Sequence, residues 1–309
     1  MLFASYARGA RLQAFQRLHL IAFVGFLLAL GVALAEPQPY GAQPLLRLAN
    51  GRPGVMVAIN GFGMFPFLVD TATSHTVLTP QLRDRLRIPS NGGDTLSVVT
   101  AAGTVLSQLH TIKEIATAGV IVERVDAVVM DLPPSLGAAG ILGADFLSNF
   151  TVDLDPTRRV LTLYPERSVV QPPGFERVNG VLDSAGFIVI AGRVDNVATS
   201  FIYDSGAALT IGNAALVQRT MRVQKIIARN IASKVVDAVQ QRGEAESFTF
   251  RRLALGPAVW SDRRVLIARM HVFEQVGLDN SPTVFIGADL MAGRRVILDY
   301  HNAALYLGR

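Results

Sequence analysis

Two short segments of this 309-residue chain place an acid, a hydroxyl residue and a small residue directly after an apolar run. One is Phe67-Leu68-Val69-Asp70-Thr71-Ala72; the other is Phe201-Ile202-Tyr203-Asp204-Ser205-Gly206. Two carboxylates held a few ångströms apart resist double ionisation, so one pKa rises and the pair shares a proton. The ionised member then takes a proton from a water held between them, while the protonated member donates to a carbonyl. Such a pair makes a nucleophile from water, so neither metal nor organic cofactor is implied. The small third residue, Ala72 or Gly206, allows a tight turn and lets main-chain amides approach the carboxylates. The hydroxyls of Thr71 and Ser205 suit hydrogen bonds from one loop to the other. A single Asp-Ser-Gly or Asp-Thr-Ala is an ordinary turn; the chemistry depends on there being two.

The elements that must hold these loops repeat as well. Ile141-Leu142-Gly143-Ala144-Asp145-Phe146-Leu147 matches Phe285-Ile286-Gly287-Ala288-Asp289-Leu290-Met291. Asp155 follows Gly143 by twelve residues, as Asp299 follows Gly287, and Leu163 and Leu307 each follow by twenty. Four features in register mark a tandem duplication with one site built from two half-sites. The expected organisation is an N-terminal lobe over 36–169, a linker over 170–174 containing Pro172-Pro173-Gly174, and a C-terminal lobe over 175–309. Stretches such as Val55-Met56-Val57-Ala58-Ile59 and Leu161-Thr162-Leu163-Tyr164 alternate like strands, and helical periodicity is confined to 80–86 and 213–220. The class is mostly β.

Asp70-Thr71-Ala72 and Asp204-Ser205-Gly206, each with apolar-apolar-Gly downstream, resemble the retropepsin and pepsin class of aspartic proteases. More narrowly, the chain resembles bacterial single-chain proteins with two retropepsin-like domains, over roughly residues 45–309. The resemblance implies a bilobal acid protease fold, two duplicated β-lobes with a cleft between them, and endopeptidase activity on a peptide or protein substrate bound as an added strand. It implies Asp70 and Asp204 as the catalytic pair, Thr71 and Ser205 as the hydrogen-bonding residues across the interface, and Gly143 and Gly287 packed behind the loops. A β-hairpin flap is implied over 98–106, with Ala101, Ala102 and Gly103 at its tip. A counterpart over 229–236 leaves one flap or two open. Both aspartates lie in one chain, so dimerisation is not required. Ala72 departs from the family's usual glycine, and its methyl is expected near the substrate carbonyl. The alternative this raises is a non-catalytic peptide-binding protein on the same fold.

Composition and charge exclude other classes. Half the residues are hydrophobic and only 17% are charged, which is not the composition of a disordered chain. The formal charge of +5 falls to +2 without Arg8, Arg11 and Arg17, giving no argument for nucleic acid as partner. The absence of cysteine removes disulfides, thiol nucleophiles and thiolate metal sites. The five histidines, His75 among them, have no ligand spacing, so no metal is expected. Gly137 to Gly143 lacks the ending of a phosphate loop. Asp145 and Asp289 are expected as helix N-caps, Asp153 and Asp155 as strand-end and turn residues, and the arginine pairs, Arg294-Arg295 included, as solvated surface.

At the N-terminus, those three arginines precede an apolar run over 18–34 that ends in Ala33-Leu34-Ala35. Residues 1–35 therefore read as a signal peptide, or as an uncleaved membrane anchor. Either way the rest of the chain is expected to be exported, periplasmic or extracellular.

Overall fold

The computed structural model describes residues 37–308, apart from 94, 101–102, 169, 224–231, 237–241 and 276. The segment read as signal or anchor, and Ala101 and Ala102 of the flap tip, lie outside the described residues. Among the described residues no helix is long and apolar enough to cross a membrane.

The first lobe opens with strands β1 (Gly41–Pro44) and β2 (Leu46–Arg47), followed by a hairpin of β3 (Pro53–Ile59) and β4 (Phe62–Val69). Then come β5 (Val77–Leu78), helix α1 (Pro80–Leu86), β6 (Thr95–Thr100), β7 (Gly103–Thr117) and β8 (Val120–Val129). The lobe ends with β9 (Gly140–Leu142), α2 (Ala144–Leu147), β10 (Phe150–Asp155) and β11 (Val160–Pro165). The second lobe starts with β12 (Phe175–Leu182), β13 (Ile188–Val194), β14 (Val197–Tyr203), β15 (Ile211–Gly212) and α3 (Ala214–Val223). It continues with β16 (Ala232–Val236), β17 (Arg242–Leu255), β18 (Ala258–Ala268) and α4 (His271–Gln275). The last elements are β19 (Thr283–Ile286), α5 (Ala288–Met291), β20 (Val296–Asp299) and β21 (Ala304–Gly308).

The pairings of one lobe reproduce those of the other. Antiparallel β3–β4 and parallel β4–β9 correspond to β13–β14 and β14–β19. Antiparallel β5–β9 and parallel β5–β8 correspond to β15–β19 and β15–β18. The hairpins β6–β7 and β16–β17 also correspond. Local chemistry explains the agreement. Asn60-Gly61 and Asp195-Asn196 both form two-residue turns with positive φ, the geometry that matches strand twist and favours Asn and Gly. In each lobe the turn's first side chain also accepts two backbone amides of a long strand: Asn60 Oδ1 from Lys113 and Glu114, and the Asp195 carboxylate from Arg251 and Arg252. Helix α1 starts at Pro80 with the Thr79 hydroxyl accepting from the Leu82 amide, and Asn213 Oδ1 caps α3 through the Leu216 amide.

The lobes join through a sheet of order β1-β11-β10-β20-β21-β12. At its centre β10 and β20 pair antiparallel, with Asp153 opposite Ile297, so the two halves of this sheet are related by a local two-fold. The linker region is tied down at its start, since Val170 is buried against Ile297 and Tyr306. Alternation on β3 sends Val55, Val57 and Ile59 inward, where they share one apolar core with Leu298, Leu305 and Leu307 of the joining sheet.

Candidate active site

Strand β4 delivers Asp70 and strand β14 delivers Asp204. Each aspartate continues the parallel ladder by one bond, the Asp70 amide to the Leu142 carbonyl (3.1 Å) and the Asp204 amide to the Ile286 carbonyl (3.0 Å). Directly beyond those ladder strands sit Gly143 and Gly287. A methyl on Gly143 would lie 2.7 Å from the His75 carbonyl, and one on Gly287 would lie 2.6 Å from the Leu209 carbonyl. These glycines let the strands press against the backs of the two aspartate loops. The following amides complete the contact, Ala144 to the Thr73 carbonyl (2.7 Å) and Ala288 to the Ala207 carbonyl (2.9 Å).

The loops meet. The Thr71 hydroxyl donates to the Tyr203 carbonyl (2.6 Å) and accepts from the Ser205 amide (3.1 Å). In return the Ser205 hydroxyl donates to the Val69 carbonyl (2.7 Å) and accepts from the Thr71 amide (3.1 Å). Both residues are buried, so these four bonds satisfy backbone groups that water does not reach.

Between them the two carboxyl groups come close enough for each to feel the other's charge. Asp70 is buried and Asp204 is partly exposed. Asp70 accepts from the Ala72 amide (2.9 Å) and the Thr73 hydroxyl (2.7 Å), while Asp204 accepts from the Ala207 amide (2.8 Å). Burial pushes Asp70 up, and the Thr73 hydroxyl, the Ala72 amide and Arg52 offset part of that rise. Asp204 is pushed well above the ordinary carboxylate range, first by burial and then by the charge of Asp70.

The two third positions differ. A methyl on Gly206 would fall 2.2 Å from Asp70 Oδ2, so glycine is required there. Ala72 has no left-handed backbone to accommodate, and it packs on the second lobe's apolar cluster around Ile202 and Phe285.

Gly103 is the first paired residue of β7, opposite Thr100. Strand β6 of this hairpin runs against α4 of the other lobe. In the counterpart over 229–236, residues 229–231 lie outside the described residues, and Ala232–Val236 pairs antiparallel with β17, Val236 opposite Arg242. The two antiparallel pairs, β6–β7 and β16–β17, therefore occupy equivalent topological positions.

Several residues acquire roles that sequence reasoning missed. Asp145 and Asp289 are not N-caps, because Gly143 and Gly287 hold the cap positions without side-chain bonds. Instead Asp145 accepts from the Thr76 amide (2.8 Å) and hydroxyl (2.9 Å), and Asp289 accepts from the Thr210 hydroxyl (2.7 Å). Thr76 and Thr210 each stand six residues after an active-loop aspartate, a repeat that was available in the sequence. Asp155 is a turn residue, its carboxylate accepting the Thr157 and Arg158 amides. Asp153 is different: buried in mid-strand, it takes a two-pronged bond from Arg295 of the other lobe (2.8 and 2.5 Å). Arg294 and Arg295 also cover the Trp260 and Phe175 rings, so that pair is not free surface. His75 bonds Ser74 within its own loop (2.9 Å). Among the described residues no cluster of three or more His, Asp or Glu is placed to hold a metal ion.

Residues 55–146 match the family model described as aspartyl protease. No curated protein matches the chain. The matched span runs from β3 through the Asp70 loop and the β6–β7 hairpin to α2. Over that span the chain is similar to the aspartyl protease family.

Proposed function

We propose that the protein is an endopeptidase in which Asp70 and Asp204 together activate water. The observation that carries this reading is the meeting of the two aspartate loops through the reciprocal Thr71 and Ser205 bonds, with each carboxylate held by a backbone amide of its own loop. Asp70, ionised, draws a proton from a water lying between the carboxyl groups. Asp204, protonated, donates to the carbonyl oxygen of the scissile peptide. The water oxygen bonds to the carbonyl carbon and forms a tetrahedral diol. Protonation of the amide nitrogen then breaks the carbon–nitrogen bond. An extended substrate lies across the junction beneath the β6–β7 hairpin, its backbone bonded like an added strand.

Asp70→Asn and Asp204→Asn are each expected to lower cleavage of a denatured protein mixture by about 10²–10⁴-fold. Wild-type cleavage by either variant would refute the assignment. Binding of peptides without cleavage by the wild-type protein, across acidic and neutral pH, would instead support a peptide-binding module. Export belongs to the same proposal, and N-terminal sequencing of the mature protein is expected to begin after Ala35.

A further inference from the structure

Arg52 is a buried charged side chain beside the two aspartate loops that the duplication does not repeat. Counting back from the second aspartate as Arg52 stands before Asp70, the corresponding residue is Gly186. Its neighbours Gly51 and Pro53 line a cavity of about 820 Å³ beside the second loop, but Arg52 itself is buried. Its Nε donates to the Ala49 carbonyl (3.0 Å), and its Nη1 reaches across the lobes to the Gly206 carbonyl (3.4 Å). Among the described residues no carboxylate forms a direct ion pair with it. A buried guanidinium cannot escape by losing its proton, so it requires negative charge nearby. The acids whose charges it feels are Asp70 and Asp204.

We propose that Arg52 is a positioning residue of the aspartate pair: it supplies the counter-charge for the single negative charge the pair carries and holds the Gly206 loop against Asp70. This rests on the protease reading only for its kinetic consequence. The arrangement makes the singly ionised pair the favoured state, since full protonation leaves a buried cation uncompensated. The other titratable groups facing the pair are Tyr203 and Tyr300, both phenols pushed up by burial and therefore neutral. His75 lies on the Asp70 loop, where it bonds Ser74. Arg52 is thus the cation that faces the pair among the described residues.

Two measurements on Arg52→Met and Arg52→Lys test this. In the pH profile of kcat/KM, the Met variant is expected to shift both limbs upward by about one pH unit, because losing a cation makes each ionisation harder. The Lys variant is expected to stay near wild type. In thermal unfolding at pH 6, Met is expected to lower Tm by a few degrees with the native pair, yet to raise it or leave it unchanged with Asp70→Asn/Asp204→Asn. Unmoved limbs, or an equal loss of Tm in both backgrounds, would overturn the proposal. If Arg52→Met fails to fold with the native pair, folding in the Asn/Asn background supports the proposal, and failure there also overturns it. The unfolding cycle needs no turnover, so a wild-type protein that cleaves nothing would refute the protease reading while leaving Arg52 to be decided.

Discussion

At the residue scale, the site depends on where one methyl can and cannot go. Gly206→Ala drives a Cβ into the Asp70 carboxylate at 2.2 Å, so the loop must shift and the two carboxyl groups with it. Cleavage is expected to fall by at least about 10²-fold, measured as kcat/KM on a peptide library. Ala72→Gly removes a methyl that packs on the second lobe; activity is expected to persist while stability drops by about 0.5–1 kcal/mol in urea titration. The aspartates also predict a pH effect on folding. The Asp204 pKa is raised in the folded state, so the native protein holds that proton more tightly than the unfolded chain does. Its contribution to stability is therefore full below the ordinary value of 3.8 and is lost as pH rises toward the folded-state value. Asp204→Asn removes the loss, and Asp70 remains to face Arg52. The variant is expected to be inactive yet more stable than wild type at pH 7, with a flatter Tm-versus-pH curve above pH about 4.

The elements explain why the carboxyl groups are held so closely. Each aspartate loop is clamped three ways: by a parallel ladder in front, by a glycine-bared strand end behind, and by a threonine–aspartate bond at its far side. Across the interface Thr71 and Ser205 tie the two loops with four reciprocal bonds. Ser205→Ala strands the Val69 carbonyl and the Thr71 amide in a buried interface, which is expected to cost about 2–3 kcal/mol. Equilibrium urea denaturation measures the cost, and the loss of cleavage is expected to exceed what reduced folding accounts for.

Considered as a whole, the molecule joins its lobes through a shared sheet that carries a buried ion pair. Asp153 is almost completely buried, and its carboxylate is satisfied by Arg295 from the opposite lobe. Arg295→Met leaves that charge unpaired and is expected to destabilise the protein by about 3–5 kcal/mol, read by chemical denaturation. Replacing both partners with apolar residues is expected to recover most of the loss. The same bond crosses the β10–β20 pairing, so its removal also tests whether the lobes unfold as one unit.

Sequence alone determined the duplication, the mostly β class and the identity of the paired aspartates, because each is a local pattern written twice. Strand alternation, Asn-Gly turn chemistry and an acid following an apolar run depend on near neighbours, and near neighbours are legible in order. What tertiary structure decided are the relations between residues far apart in the chain. Asp145 holding Thr76, Arg295 satisfying Asp153, and Arg52 reaching the Gly206 carbonyl span 69, 142 and 154 positions. The spacing of Asp145 suited a cap and that of Arg295 suited solvent, since propensity describes a side chain's own turn and not what folds against it. Arg52 left no trace in the repeat because it breaks the repeat. Its role exists only where burial removes water and makes a distant carboxylate the nearest compensation for its charge.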